Sequence, residues 1–141
     1  MSIIQTLTTS FKVELLQGIH NFDADQFKIA LYYSTATLNA DTTAYTPAGE
    51  TVGTGYTASG QNLTVSTTPT AGGTTTAYVE FDTVTWAGAT FEAAGALIYN
   101  YTKADRSVAV LSFGGTKISA GGPFIIQFPT ATATTAIIRI A

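Results

Sequence analysis

The chain of 141 residues contains no cysteine and a single histidine, His20. Without cysteine, it forms neither a disulfide nor a thiolate metal site. One histidine excludes a cluster of histidine ligands within one chain. A Ser-His-Asp arrangement would depend on His20 alone, and no G-x-S-x-G motif supports one. The absence of cysteine is compatible with synthesis in a reducing cytosol. We therefore expect no cofactor, no metal and no enzymatic activity.

Charge is the second scarcity, since Asp, Glu, Lys and Arg make up 11% of the residues, against roughly 25% in an ordinary soluble domain. The six basic residues are scattered and the net charge is −3, so we expect no nucleic-acid partner. Threonine occupies 27 positions. Because threonine is β-branched and suits a pleated surface, this composition favours β structure.

Long apolar runs are also missing. No stretch approaches the ~20 apolar residues of a membrane helix, and the amino terminus lacks the charged and apolar regions of a signal peptide. We expect no membrane partner, and the length suits a single domain over residues 1–141.

One helix is predicted, over residues 9–17. Thr8 and its neighbours offer N-cap hydroxyls, and Gly18 is a natural stop. The pattern predicts that Phe11, Leu15 and Leu16 pack onto a larger element.

After residue 26 the apolar period becomes two, which indicates strands. In the first of them, Phe27, Ile29, Leu31 and Tyr33 share one face. The segments with strand patterns are 26–33, 62–66, 77–84, 90–93, 96–101, 107–113, 124–128 and 136–140. We expect 96–101 and 107–113 to form a hairpin, 35–55 and 69–76 to be loops, and the glycine pairs at 114–115 and 121–122 to bracket a short piece at 116–119.

About eight short strands with turn signals predict an all-β fold: a jelly-roll-like antiparallel β-sandwich over residues 26–140 with one short N-terminal helix. Another Greek-key sandwich is the alternative.

Acidic residues offer two candidate sites. Asp23 and Asp25 have the spacing that begins a calcium loop, although the rest of such a loop is missing and turn formation explains them better. Glu80, Asp82 and Glu92 could include an acid–base pair of a glycosidase, but a solvated strand face is favoured.

The seven tyrosines are candidates for an interface, because tyrosine buries a large area and keeps a polar tip. Two pairs of tyrosines lie close together in the sequence, Tyr32 with Tyr33 and Tyr99 with Tyr101. We expect one tyrosine of each pair to point away from the core. Ordinary half-buried packing is the alternative.

Seven phrases along the chain resemble a family of small structural proteins of tailed bacteriophages. They are SFKVELLQGIH (10–20), FKIALY (27–32), TTAYT (42–46), GTGY (53–56), DTVTW (82–86), ALIYN (96–100) and IIRI (137–140). The resemblance runs nearly from end to end and includes no catalytic signature.

The resemblance implies a capsid decoration or cement protein, which binds outside the shell and clamps neighbouring major capsid protein subunits. It would be made in the bacterial host cytoplasm and act as a homo-oligomer, a dimer or a trimer, on the capsid exterior. The alternatives are another virion component, such as a head fibre base, tail or baseplate protein, and a carbohydrate- or receptor-binding module that uses Trp86 or exposed tyrosines.

Two kinds of contact follow from this interpretation. Residues 1–8 are predicted to form an extended arm that is added to a neighbour. The predicted interface residues are Ile3, Ile4, Leu7, Tyr32, Tyr45, Tyr56, Tyr99 and Tyr101.

Overall fold

A computed structural model describes residues 2–141, so that Met1, the first residue of the predicted arm, lies outside the described residues. These residues form one helix and eight strands in two antiparallel sheets. The prediction of an all-β antiparallel sandwich with one short helix is confirmed. The elements are β1 (Thr6–Leu7), α1 (Thr9–Leu16), β2 (Phe27–Tyr32), β3 (Gln61–Leu63), β4 (Val65–Gly72), β5 (Thr76–Phe81), β6 (Val84–Asn100), β7 (Arg106–Ile126) and β8 (Ile138–Ile140).

The larger sheet has five strands in the order β1-β7-β6-β2-β3, and the smaller has three in the order β4-β5-β8. β6 and β7 form the predicted hairpin, in which Asn100 pairs with Arg106. In the five-residue turn between them, Ala104 and Asp105 have φ of 59° and 60°, a left-handed conformation that is uncommon for residues with side chains.

The helix α1 agrees with its prediction in position but not in all of its packing. The Thr8 hydroxyl accepts a hydrogen bond from Phe11 N, and Gly18 follows the helix with φ of 72°. Phe11 is buried and Leu15 packs against the core, whereas Leu16 is 92% exposed. The prediction for Leu16 is wrong because five residues separate it from Phe11, which is about 140° around a helix.

β6 and β7 are longer than predicted, since several predicted strands merge into elements of 17 and 21 residues. The short piece that the glycine pairs bracket is not separate but lies within β7, and a bulge lies at each glycine pair. Gly121, with φ of 86°, is the extra residue between the pairs Ala89–Gly122 and Thr90–Ala120. Residues 113–116 likewise oppose Ala94 alone.

The smaller sheet begins where one predicted strand divides. Leu63 ends β3 in the larger sheet, and Val65 begins β4 in the smaller one. The carbonyl of Thr64 accepts a hydrogen bond from Asp82 N at 2.9 Å, which holds this corner. Half of the predicted loop at 69–76 therefore belongs to β4, Thr76 begins β5, and only residues 73–75 form a turn.

The larger sheet is buried on both faces around β2 and β6. One face packs into the main core with the smaller sheet, and includes the predicted residues Phe27, Ile29 and Leu31. The opposite face carries Ala30, Tyr32, Leu97, Tyr99 and Val110, which pack with Ala36 and Leu38. The long segment 33–60, which supplies Ala36 and Leu38, thus covers the second face.

The amino-terminal segment is part of this cover, so the prediction of an extended arm is wrong for residues 2–8 of this chain. Thr6 and Leu7 pair with Val110 and Ala109 in β7. Ile4 N donates to the Leu38 carbonyl at 2.9 Å, and Ile3 packs against the second core cluster. Apolar residues in this segment find partners within their own chain, and strand pairing with β7 satisfies their backbone.

Candidate functional site

A buried carboxylate holds the long segment 33–60. Glu50 Oε1 accepts hydrogen bonds from Tyr56 OH and Ser59 N, both at 2.7 Å, and Oε2 accepts one from Tyr45 OH at 2.6 Å. Tyr56 OH in turn accepts from Leu31 N at 2.9 Å, which ties the segment to β2. We call Glu50, Tyr45, Tyr56 and Ser59 the Glu50 cluster.

Two tyrosines from the sheet complete the attachment. Tyr32 OH donates to the Thr46 carbonyl at 2.7 Å, and Tyr99 OH donates to the Ser59 carbonyl at 2.6 Å. Ser59 has a φ of 75°, an uncommon conformation for a residue with a side chain. It donates its N–H to Glu50 while its carbonyl accepts from Tyr99.

The four tyrosines are held as neutral phenols. Burial, and then the negative charge of Glu50, raises the pKa of Tyr32 well above its ordinary value. Burial and the hydrogen bond to Glu50 do the same for the pKa of Tyr45 and Tyr56. Burial raises the pKa of Tyr99 to about 12. These hydroxyls therefore act as hydrogen-bond donors to fixed partners, which is a structural role.

These positions correct the predicted tyrosine interface. Tyr32 and Tyr99 are buried, and Tyr45 and Tyr56 are half-buried with their hydroxyls engaged inside the chain. Tyr32 and Tyr99 therefore offer no ring face to a partner, while the rings of Tyr45 and Tyr56 are open to one only in part. Tyr101 is 58% exposed, with Lys28 Nζ 5.0 Å from its ring centroid. Sequence periodicity could not find the hydroxyl partners, because these come from an irregular segment.

The predicted arm residues lie differently. Ile3 and Leu7 are half-buried and pack against the two core clusters, while Ile4 is 55% exposed. Of the eight predicted interface residues, Ile4 and Tyr101 are the ones whose side chains are largely exposed.

His20 belongs to a second polar network, beside the hairpin turn. Its Nε2 lies 2.9 Å from Glu14 Oε1, and its Nδ1 lies 3.0 Å from Asn100 Nδ2. Because the Asn100 amide nitrogen only donates, Nδ1 is the acceptor and Nε2 carries the proton. Arg106 Nη1 donates to Glu14 Oε2 at 2.7 Å. Both ring nitrogens are thus engaged in fixing the helix to the hairpin.

Asp25 extends this network. Its carboxylate accepts from Asn100 Nδ2 at 2.8 Å and from Asn21 N at 2.9 Å, and Lys103 Nζ lies 3.4 Å away. Burial by itself would raise the pKa of Asp25, but these hydrogen bonds and the Lys103 charge outweigh it and lower the pKa. The adjacent Asp23 is exposed. The structure therefore gives Asp25 the role of organising a turn.

The other predicted acidic group is not assembled in one place. Glu80 lies on β5 and accepts from Thr67 Oγ1 at 3.1 Å and Ala131 N at 3.2 Å. Glu92 lies on β6 in the larger sheet, and Asp82 is exposed. Within residues 2–141, no group of three or more His, Cys, Asp or Glu is placed to hold a metal ion. The helix of this part of the chain has eight residues, too few to cross a bilayer.

Trp86, the candidate for a sugar-binding platform, is buried in the main core. Its ring stacks near Tyr56 at a centroid distance of 6.2 Å and meets Phe91 and Phe124 edge-on. Its indole N–H has no hydrogen-bond partner among the described residues. A buried indole offers no face to a sugar ring.

The most exposed part of the sheet is a stretch of β7 that we call the edge segment, residues 114–121. Seven of these eight residues are exposed, and Ser119 is half-buried. Ile118 is 73% exposed although it lies in the middle of a strand. Within the described residues, β1 pairs only with Ala109 and Val110 of β7, so no strand lies on the outer edge of this segment.

An open groove of about 570 Å³ lies beside the edge segment. Ile118, Val52 and Phe91 line it together with hydroxyl-bearing residues, and Glu92 is its charged lining residue. A second recess of about 320 Å³ lies between the end of α1 and the smaller sheet, with Leu15, Val79 and Ile138 in its wall. Both recesses are therefore lined mostly by uncharged residues, with Glu92 in the first and Arg139 in the second.

With this geometry in place, the chain was compared with known proteins. No protein-family model, no curated protein and no solved structure matches it.

Proposed function

We propose that this protein is a non-enzymatic structural component of a bacteriophage virion that decorates and cements the capsid. It would bind on the capsid exterior and clamp neighbouring major capsid protein subunits, after synthesis in the host cytoplasm. The proposal combines the family resemblance of the sequence phrases with the character of the surface.

The observation that carries the proposal is the number of large apolar side chains exposed on a surface with little charge. The exposed residues are Ile4, Val13, Leu16, Val52, Tyr101, Ile118, Ile125 and Ile140. Burying a neutral surface against a partner avoids the desolvation cost of charged groups. A protein whose role is to be covered by neighbours benefits from such a surface.

The hydrogen bonds of the buried and half-buried polar groups also support the proposal. Glu50, His20 and Asp25 are each engaged with partners in their own chain. These partners fix the segment 33–60, the helix α1 and the hairpin turn in place. A rigid scaffold of this kind suits a clamp, because little conformational freedom is lost when it binds.

The experiment is a reconstruction, at side-chain resolution, of the virion of the phage that encodes the chain. We expect density for this fold on the outer surface of the shell, in contact with more than one major capsid subunit. Density confined to the tail or baseplate would overturn the capsid role and favour another virion component. Complete absence from purified virions would overturn the structural role as a whole.

A further inference from the structure

The unpaired edge of β7 points to a specific partner. We propose that two copies of this chain pair through the edge segment around a two-fold axis at Ser119, so that their larger sheets become one continuous sheet. This inference rests on the proposed function as a virion structural protein. It adds the surface through which two chains would pair, the symmetry of the pair and the register of the paired strands.

The direction of the backbone groups follows from the contacts of β6. Thr90 N donates to the Thr54 carbonyl at 2.9 Å, and the Glu92 carbonyl accepts from Thr51 Oγ1 at 2.9 Å. The backbone groups of Thr90 and Glu92 therefore point away from β7. Their partners across the hairpin are Ala120 and Ile118.

Thr90–Ala120 and Glu92–Ile118 are therefore non-hydrogen-bonded pairs of the β6–β7 ladder. In a pair of this kind, both residues direct their N–H and C=O groups away from the other strand. Ile118 and Ala120 thus present two N–H and two C=O groups along the outer edge, where the described residues place no strand. The neighbours Lys117 and Ser119 direct theirs inward to β6. An exposed edge of this kind is a template for strand addition.

The spacing of these groups suits a second copy of the same strand. With a two-fold axis at Ser119, Ile118 of one copy lies opposite Ala120 of the other, and the reverse holds on the other side of the axis. Both pairs then have outward groups facing each other, which gives four backbone hydrogen bonds. The bulges at 113–116 and Gly121 set the ends of the paired stretch.

The charges permit this register. Lys117 is the one charged residue of the edge segment. With the axis at Ser119 it lies opposite Gly121 of the other copy, so that the two ammonium groups are not paired with each other. An axis at Lys117 would place them directly opposite, which is unfavourable. Ile118, now 73% exposed, would gain the Ala120 methyl of the other copy as a neighbour on its face.

A cysteine placed on the axis gives a direct test, because the chain has no cysteine of its own. In a pair of this type the two Cα atoms lie about 4.5 Å apart, within the range that a disulfide spans. We expect Ser119→Cys to form a disulfide-linked dimer under mild oxidation at dilute concentration. The matched control is Thr64→Cys, at an exposed corner outside the edge segment. Equal rates of cross-linking for the two variants would overturn the register.

A proline tests the hydrogen bonds themselves. The N–H of Ile118 points outward, so Ile118→Pro removes a donor from the proposed dimer and none from the hairpin. We expect light scattering to give a mass of twice 14.7 kDa for the unaltered chain and 14.7 kDa for the variant. Ile118→Asp, which places two carboxylates near the axis, gives the same expected loss if the proline variant fails to fold.

The outcomes separate this inference from the proposed function. A monomer at all concentrations, or a dimer that persists in Ile118→Asp, would overturn the self-pairing. If the unaltered chain is a monomer but Ile118→Asp abolishes its incorporation into capsids, the edge accepts a strand of a capsid subunit and the second-copy proposal is wrong. A confirmed dimer that is absent from virions would overturn the proposed function alone.

Discussion

Glu50 shows how one side chain can hold a long irregular segment. Its two oxygens accept three hydrogen bonds, all from donors within the segment 33–60, and Tyr56 passes the connection on to β2. A buried carboxylate is tolerated here because its lone pairs are occupied by well-placed donors. The three donors are half-buried, so removal of the carboxylate takes away the partner to which they are fixed.

We therefore expect Glu50→Ala to lower the free energy of unfolding by about 3 kcal/mol, since it removes three hydrogen bonds to a buried carboxylate. Chemical denaturation monitored by circular dichroism measures this change. The matched control is Glu92→Ala, which removes an exposed carboxylate and should change the free energy by less than about 0.5 kcal/mol. Similar losses in both variants would contradict the role given to Glu50.

The tyrosines predict a loss of stability at high pH. The pKa of Tyr99 in the fold is raised to about 12 from its ordinary value of 10.0, and the pKa of Tyr32, Tyr45 and Tyr56 is also raised. The protonated form is thus favoured by folding. The resulting stability is fully present below pH 10 and is lost as the pH rises through the folded-state values.

An alkaline titration that records tyrosinate absorbance and circular dichroism together tests this expectation. The signal of these four tyrosines should appear as the fold is lost, and not before it. Ionisation of all seven tyrosines in a protein that keeps its native circular dichroism would show that the hydroxyls are not buried as described.

At the scale of the element, the amino-terminal segment acts as a seal on the second core. Ile3 reaches across β6 so closely that a side chain at Gly95 would collide with it. Ile3 and Ile4 are adjacent and chemically identical, yet Ile3 packs inward while Ile4 is 55% exposed.

This pair supplies its own control. Ile3→Ser should lower the free energy of unfolding by about 1–2 kcal/mol, because a half-buried apolar group is lost. Ile4→Ser should leave it within about 0.5 kcal/mol. Thermal and chemical denaturation measure both. If the effects are equal, the segment does not seal the core, and the arm interpretation regains support.

Neighbouring glycines in β7 separate the effect of conformation from that of space. A side chain would meet no atom within 4 Å at either Gly121 or Gly122, but only Gly121 has a positive φ, of 86°. We expect Gly121→Ala to cost about 1–2 kcal/mol in unfolding free energy, through backbone strain alone. Gly122→Ala should leave the unfolding free energy nearly unchanged, and chemical denaturation measures both variants. An unchanged free energy for Gly121→Ala as well would contradict the positive φ described for Gly121.

Elements with a clear period were predictable, and those shaped by bulges were not. The alternation in β2 and the cap at Thr8 are local signals, and both agree with the structure. Glycine pairs usually mark turns, so sequence patterns could not reveal that Gly121 continues a strand as a bulge. The positions of Tyr32 and Tyr99 depended on the segment 33–60, whose path over the sheet has no periodic signature.

At the scale of the whole molecule, the strand edge that no other strand covers lies in a part of the surface with few charges. The ion pairs of the described residues lie around the helix and the hairpin turn, between Glu14 and Arg106 and between Asp25 and Lys103. The edge segment carries Lys117 alone. The edge segment is therefore poor in charge, and its outer backbone groups have no strand partner among the described residues, which suits contact with another protein.

Hydrogen exchange gives a residue-by-residue measure of this contact. Amides of Lys117 and Ser119 should be protected at every protein concentration, because they face β6. Amides of Ile118 and Ala120 should exchange rapidly in dilute solution and become protected as the concentration rises. Protection that does not depend on concentration would mean that the outer edge is covered within one chain.

The pairing of β1 with β7 also has a consequence for how the chain folds. Thr6 and Leu7 find their partners at Val110 and Ala109, so β1 has no strand to pair with until β7 has been synthesised, about 100 residues later. Closing such a large loop is slow compared with the formation of the β6–β7 hairpin. The apolar residues of β1 therefore stay uncovered until β7 has formed, and the second core is sealed only after that step.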